Sequence, residues 1–156
     1  MLISKTGNAQ ISDYGLSIIT SNVTFTAATT PNVAGPSRWH APEAVDAASN
    51  SKPKPLTASK PADVFAFAML AVEIFTGNVP FGDMKNKSAA VHIANGRRPD
   101  KPDAADQLGL TTEMWEFIGK CWTPNPKKRP TIDEVVGAWE GFVNGHVAFR
   151  SGSSVN

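Results

Sequence analysis

Residues 61–81, PADVFAFAMLAVEIFTGNVPF, limit what this chain can fold into more than any other stretch. From Val64 to Phe75 every residue is apolar except Glu73. A helix lying on a protein surface needs only one apolar stripe and shows polar residues opposite it. This segment has almost no polar side to show, so it is expected as a central helix. Its ends carry their own signals. Ser59 can accept a backbone N–H at the start, Pro61 loses nothing in a first turn where its missing donor would be unpaired, and Gly77 can take the left-handed conformation that stops a helix. Asp63 then falls in the first turn, where the positive end of the helix dipole stabilises a carboxylate.

A chain of 156 residues with 41% apolar content suffices for one domain with a real core. The formal net charge is +1, and the basic residues are scattered apart from Lys127, Lys128 and Arg129. That balance gives no footing for nucleic acid or an anionic membrane. The start, MLISKTGNAQ, lacks the basic and apolar regions of a secretory signal, and the apolar run Phe65–Val72 falls well short of the roughly 18 residues of a membrane span. A soluble, cytoplasmic or otherwise intracellular protein is expected. The single Cys121 excludes an intramolecular disulfide, and with three scattered histidines it is poor material for a zinc site. It is expected to pack inside a helix.

In chain order, Leu2-Ile3-Ser4 and Ala9-Gln10-Ile11-Ser12 flank a Lys5-Thr6-Gly7-Asn8 turn and predict a hairpin. From Leu16 to His40 the chain is polar and has no sustained period, a length at which loops are usually functional or disordered. Ala41–Val45 can start a short helix, and Asn50–Lys60, with SKPKP at its centre, reads as an exposed loop. Beyond the central helix, Val79-Pro80-Phe81 reads as an apolar plug in a turn, and Ser88–Asn95 as a short helix. In Thr112–Trp122, the residues Met114, Ile118, Cys121 and Trp122 share one helical face. Thr131-Ile132-Asp133-Glu134 matches a capping box, with Ile132, Val135, Val136 and Trp139 expected as the buried side of the last helix.

Four segments in this order, ISDYGLS (11–17), RWHAPE (38–43), PADVFAFAMLAVEIFTGNVPF (61–81) and CWTPNPKKRPT (121–131), resemble the C-terminal lobe of a eukaryotic protein kinase. The likeness is to the tyrosine-kinase-like serine/threonine group as found in fungi. A D-x-G tripeptide alone carries almost nothing; four motifs in sequence with plausible gaps are specific. The resemblance implies a mainly α fold with a short N-terminal β-hairpin, a long activation-type loop and about five helices, lacking the N-terminal lobe. Residues 1–149 would then be a truncated kinase domain and 150–156 a disordered tail.

Carried over by residue, the resemblance makes Asp13 the aspartate that holds Mg²⁺ against the phosphates of ATP, and Gly15 the glycine that lets that segment turn. Tyr14 stands where the family usually has Phe. Leu16–His40 corresponds to the activation segment, and Arg38, Trp39 and His40 to the part that receives substrate. Glu43 resembles the glutamate that pairs with an arginine, here Arg129. Asp63 resembles the aspartate that ties down the catalytic loop from below, which implies burial. Trp122 and Trp39 resemble packing aromatics. A buried carboxylate and guanidinium stay charged only if they satisfy each other, and removing one partner typically costs about 3–5 kcal/mol.

Much of the family's apparatus is missing from these residues. Phosphoryl transfer needs a glycine-rich loop, a strand lysine paired to a helix glutamate, a catalytic aspartate and asparagine, and the metal-binding aspartate, all held together. The sequence contains no G-x-G-x-x-G and no H-R-D-x-x-x-x-N. No residue qualifies as the catalytic base: Asp13 is assigned to metal, and His40 beside a backbone turn reads as structural. ATP and Mg²⁺ belong to the intact family, and one carboxylate without its asparagine partner makes a poor Mg²⁺ site, so neither is expected to bind productively here. Pro36 replaces a threonine that usually contacts the catalytic aspartate, and Ala68 replaces a helix glycine, a change worth up to ~1 kcal/mol of helix propensity.

Three functions fit. The first is a kinase-family chain, from enzymes that move the ATP γ-phosphoryl to protein Ser or Thr, inactive by itself. The second is a non-catalytic, pseudokinase-like binding module. The third, favoured over the second by the abrupt start at a strand, is a fragment of a longer reading frame. Loop hydroxyls at Ser17, Thr20, Ser21, Thr24, Thr26, Thr29 and Thr30 are phosphorylation candidates. The family covers one side of the central helix with a helix absent here. Exposing three or four large side chains there would cost on the order of 5–10 kcal/mol, so the isolated chain is expected to be marginal, aggregation-prone or dependent on a protein partner that covers the exposed face of residues 61–76.

Overall fold

The computed structural model describes residues 2–10, 38–43 and 59–152. The chain divides into two units, Met1–Pro31 and Asn32–Asn156. Within the first, β1 (Leu2–Ile3) and β2 (Ala9–Gln10) form an antiparallel pair, with Leu2 opposite Gln10 and Ile3 opposite Ala9. The reversal closes through Ser4: its N–H donates to the Asn8 carbonyl at 2.8 Å, and its Oγ accepts from the Asn8 N–H at 3.0 Å. Gly7, at φ 82°, takes the left-handed position that this turn needs.

The second unit is helical. Its described α-helices are α1 (Lys60–Thr76), α2 (Asn86–Ala94), α3 (Thr112–Cys121) and α4 (Ile132–Gly152), with a 3-10 turn at Pro126–Lys128. Against about five expected helices, four lie among the described residues. The short helix expected from Ala41 has Pro42 and Glu43 in helical conformation, and its remainder lies outside them. The last residues of α4 fall in the segment from 150 expected as a tail.

The central helix has the anticipated ends. Ser59 Oγ accepts from the Ala62 N–H at 3.3 Å, and Gly77, at φ 68°, donates to the Glu73 carbonyl at 2.8 Å. Val64, Phe65, Ala68, Met69, Ala71 and Val72 are buried, and α1 packs chiefly on α3 through Met114, Ile118 and Cys121. Phe65, Met69 and Ile118 are wholly inaccessible, each contributing about 1.5–3 kcal/mol relative to an exposed side chain. Ala68 is equally inaccessible, so the packing accepts its methyl.

The last helix starts as expected and buries less than expected. The Thr131 N–H donates to Glu134 Oε2 at 2.7 Å while the Glu134 N–H donates to Thr131 Oγ1 at 3.3 Å, a reciprocal capping box. Val135 is buried, and Trp139 meets Phe67 of α1 edge-on at 5.0 Å between ring centres. Ile132 and Val136, expected on the buried side, are 45% and 49% exposed. The cause is rotational. Val135, Trp139 and Phe142 make the inward line, whereas Ile132, Val136 and Val143 fall on a neighbouring line that no described residue covers. With Phe67 they border an open apolar groove of about 430 Å³. On α1 itself, Ile74 is exposed, while Phe67, Leu70 and Phe75 are half-buried. Among the described residues no helix is long and apolar enough to cross a membrane.

Candidate functional site

Residues 38–43, RWHAPE, are pinned from several directions, and the side chains of Arg38, Trp39 and Glu43 each have a separate anchor. Arg38 is buried, and its guanidinium donates to Asn86 Oδ1 at 2.7 Å, to the Pro80 carbonyl at 2.8 Å, and to the carbonyls of Phe81 and Met84. The charge is thus spent inside the protein on the turn between α1 and α2. Trp39 Nε1 donates to Glu73 Oε2 at 2.9 Å. His40 is half-buried, and burial holds its imidazole below the ordinary range. Ala41 is 1% exposed and belongs to the core.

Glu43 ends the segment in a bidentate ion pair. Arg129 Nη1 donates to Oε1 at 2.7 Å and Nη2 to Oε2 at 2.9 Å. The arginine side chain is wholly buried, while the glutamate side chain keeps 27% exposure. Arg129 also donates to the carbonyls of Thr123 at 2.9 Å, Pro61 at 2.8 Å and Pro124 at 3.4 Å. Its five donors thereby find five acceptors on three stretches of chain. Burial pushes the Glu43 carboxyl up, but the Arg129 hydrogen bond, a backbone bond and the charges of Arg129 and Arg98 together bring it below the usual carboxylate range.

Arg98 completes this cluster, and nothing in its sequence surroundings had singled it out. The guanidinium carbons of Arg98 and Arg129 lie 4.8 and 5.1 Å from the centre of the Phe65 ring, whose negative π face attracts both. Arg98 donates to the Trp122 carbonyl at 2.9 Å and to those of Ile93 and Arg97, while its Nη2 is buried without a hydrogen-bond partner among the described residues. Burial, and then the like charge of Arg129, lower its affinity for the proton, with Glu43 opposing.

The remaining expected positions separate into placed and unplaced. Trp122 is buried and meets Trp115 edge-on at 5.4 Å. Asp63 sits in the first turn of α1 as expected, but it is exposed. The burial implied by the resemblance depends on a catalytic loop lying over it, and this sequence has no such loop. Asp13, Tyr14, Gly15, Pro36 and the candidate loop hydroxyls lie outside the described residues. Glu73 stands out in the sequence only as the one charge in an apolar run; a lone acid there is a sign of a hydrogen-bond partner, which proves to be the half-buried Trp39.

The arrangement holds a short backbone segment on a fixed path between α1, the turn after it and the start of α4. Among the described residues there is no group of three or more His, Cys, Asp and Glu that could hold a metal ion.

A helical lobe built on a near-apolar central helix, with an R-W-x-A-P-E segment clamped to it by a distant arginine, is a protein-kinase-type C-terminal lobe. The family model for protein tyrosine and serine/threonine kinases matches residues 1–138. A probable serine/threonine-protein kinase of Dictyostelium discoideum is 32% identical over 140 residues, covering 87% of this chain and 13% of that protein. Mitogen-activated protein kinase kinase kinase 3 of Arabidopsis thaliana is 30% identical over 136 residues, 87% of this chain and 22% of that protein. The dual specificity protein kinase pyk3 of Dictyostelium discoideum is 28% identical over 139 residues, 87% of this chain and 9% of its own length. The chain belongs to the protein tyrosine and serine/threonine kinase family, and it spans under a quarter of the length of these relatives.

Proposed function

We propose that these residues are the substrate-side part of a serine/threonine protein kinase domain of the tyrosine-kinase-like group found in fungi, and that the 156 residues alone do not transfer phosphate. The observation that carries the first half is the anchoring of RWHAPE by Glu73 and Arg129. The second half rests on the absence from the sequence of a glycine-rich loop and of a catalytic-loop aspartate and asparagine. In a complete domain the activity is transfer of the ATP γ-phosphoryl to a protein Ser or Thr hydroxyl. Asp13 would be the Mg²⁺ ligand, with Gly15 beside it. The 38–43 segment would be the floor on which the peptide lies, and Asp63 would take the catalytic loop once that loop covers it. A cytoplasmic setting, where ATP is available, goes with this reading.

The test is phosphoryl transfer from labelled ATP to a mixed Ser/Thr peptide library, with Mg²⁺, by the purified chain. The expected result is no labelled peptide above a no-protein control, and labelled product would overturn the claim of incompetence.

A second reading, a non-catalytic pseudokinase-like module, is favoured by the uncovered line of Ile132, Val136 and Val143 beside Phe67. In that reading a protein partner covers this groove and the adjoining exposed side of α1.

A further inference from the structure

We infer that Arg38 is a positioning residue that couples the 38–43 segment to the turn between α1 and α2, so that each holds the other in place. The reason lies in the partners it chooses. A buried guanidinium would ordinarily be neutralised by a carboxylate, yet each partner described above for Arg38 is neutral: three backbone carbonyls and one side-chain amide. Those carbonyls belong to Pro80, Phe81 and Met84, which converge on the guanidinium.

The turn is shaped to offer them. Phe81 sits at φ 54°, the left-handed region that a bulky aromatic residue rarely occupies, and no other described non-glycine residue has a positive φ. Its carbonyl accepts from Arg38, while its ring stacks on His92 of α2 at 6.4 Å between centres and 21° between planes. Asn86, the first residue of α2, takes the Nε–H. One side chain therefore reaches across 42 to 48 residues of sequence to hold both the turn and the start of the next helix.

Removing the guanidinium leaves the Pro80 and Met84 carbonyls without that donor and the Phe81 carbonyl with only the Met84 N–H, at 3.0 Å, so the turn must open to water and Phe81 loses one of the two bonds to its carbonyl. The coupling is reciprocal by linkage: loosening the turn must loosen the 38–43 segment by the same factor. This geometry stands whether or not the chain belongs to a working kinase, so its failure and that of the proposed activity are separate results.

Amide hydrogen exchange on the full chain tests it, comparing wild type with Arg38→Ala, Arg38→Lys and Asn86→Ala. Arg38→Ala is expected to speed exchange in 81–86 by about tenfold or more while α3 stays protected. Arg38→Lys, with fewer and unforked donors, is expected to fall between the two, a graded rescue that simple cavity formation would not give. Asn86→Ala, which leaves Arg38 in place, is expected to speed exchange in 39–43 as well as in its own turn. If Arg38→Ala unfolds the chain, seen as loss of protection in α3, the Asn86→Ala result decides alone. Unchanged exchange in 81–86 on a folded Arg38→Ala chain, or in 39–43 on Asn86→Ala, would overturn the inference.

Discussion

Arg129 grips both carboxylate oxygens of Glu43, at 2.7 and 2.9 Å, across 86 residues of sequence. The two ends of the pair are not equivalent. Glu43 keeps some contact with water, whereas the arginine side chain has none. Glu43→Gln is therefore expected to strand a buried cation and lower unfolding free energy by about 2–4 kcal/mol, somewhat under the range for fully buried pairs because water already screens the carboxylate. Urea denaturation of wild type, Glu43→Gln and Arg129→Ala, with the double variant closing the cycle, measures the coupling directly. A coupling within error of zero would reduce the clamp to two unrelated charges.

Acid should release the same segment in two stages. The folded state holds His40 below its ordinary value of 6.5 and Glu43 below 4.5. In both cases the unfolded chain binds the proton more readily, so stability is fully present above the unfolded value and falls as pH drops through the folded one. The His40 contribution is lost first, from about pH 6.5 downward, and that of Glu43 from about 4.5 downward. His40→Gln should flatten the first stage and leave the second, read as unfolding midpoints between pH 8 and 4.

The two lines of α4 should respond in opposite ways to substitution. Val135→Ala, at a buried position, is expected to cost about 1–3 kcal/mol through lost burial and the cavity left behind. Val136→Lys and Val143→Lys, at positions 49% and 50% exposed, should change stability by no more than about 0.5 kcal/mol.

Cys121 is the buried packing residue that its helical spacing implies, and burial pushes its thiol up to about 12. Thiolate is the reactive form, so the native chain should resist Ellman's reagent at pH 8 and react with one equivalent only once denatured. Rapid reaction of the native chain would place Cys121 nearer solvent than it is found.

The legible parts of this fold were those coded locally. The Ser59 and Gly77 ends of α1, the Thr131–Glu134 box and the shared face of Met114, Ile118 and Cys121 each depend on residues within a turn or two of one another. The Glu43–Arg129 pair is not local; it was found through motif order, since nothing in the surroundings of either residue names its partner. Arg38 shows the opposite case: most of its acceptors are backbone carbonyls, which every residue carries, so no side chain in 80–86 advertises them. The burial of α4 went astray because Ile132, Val135, Val136 and Trp139 fit one apolar arc, and only the position of Phe67 and Phe75 decides which part of that arc turns inward. Arg98 and Glu73 acquire meaning only from Phe65 and Trp39, residues far from them in sequence.

The central claim is that this chain keeps the clamped floor of a kinase lobe without a working nucleotide site. Calorimetric titration of the purified 156-residue chain with ATP, with and without Mg²⁺, tests it most directly. The account predicts no saturable heat up to millimolar nucleotide in either condition. Micromolar, Mg²⁺-dependent binding would contradict it.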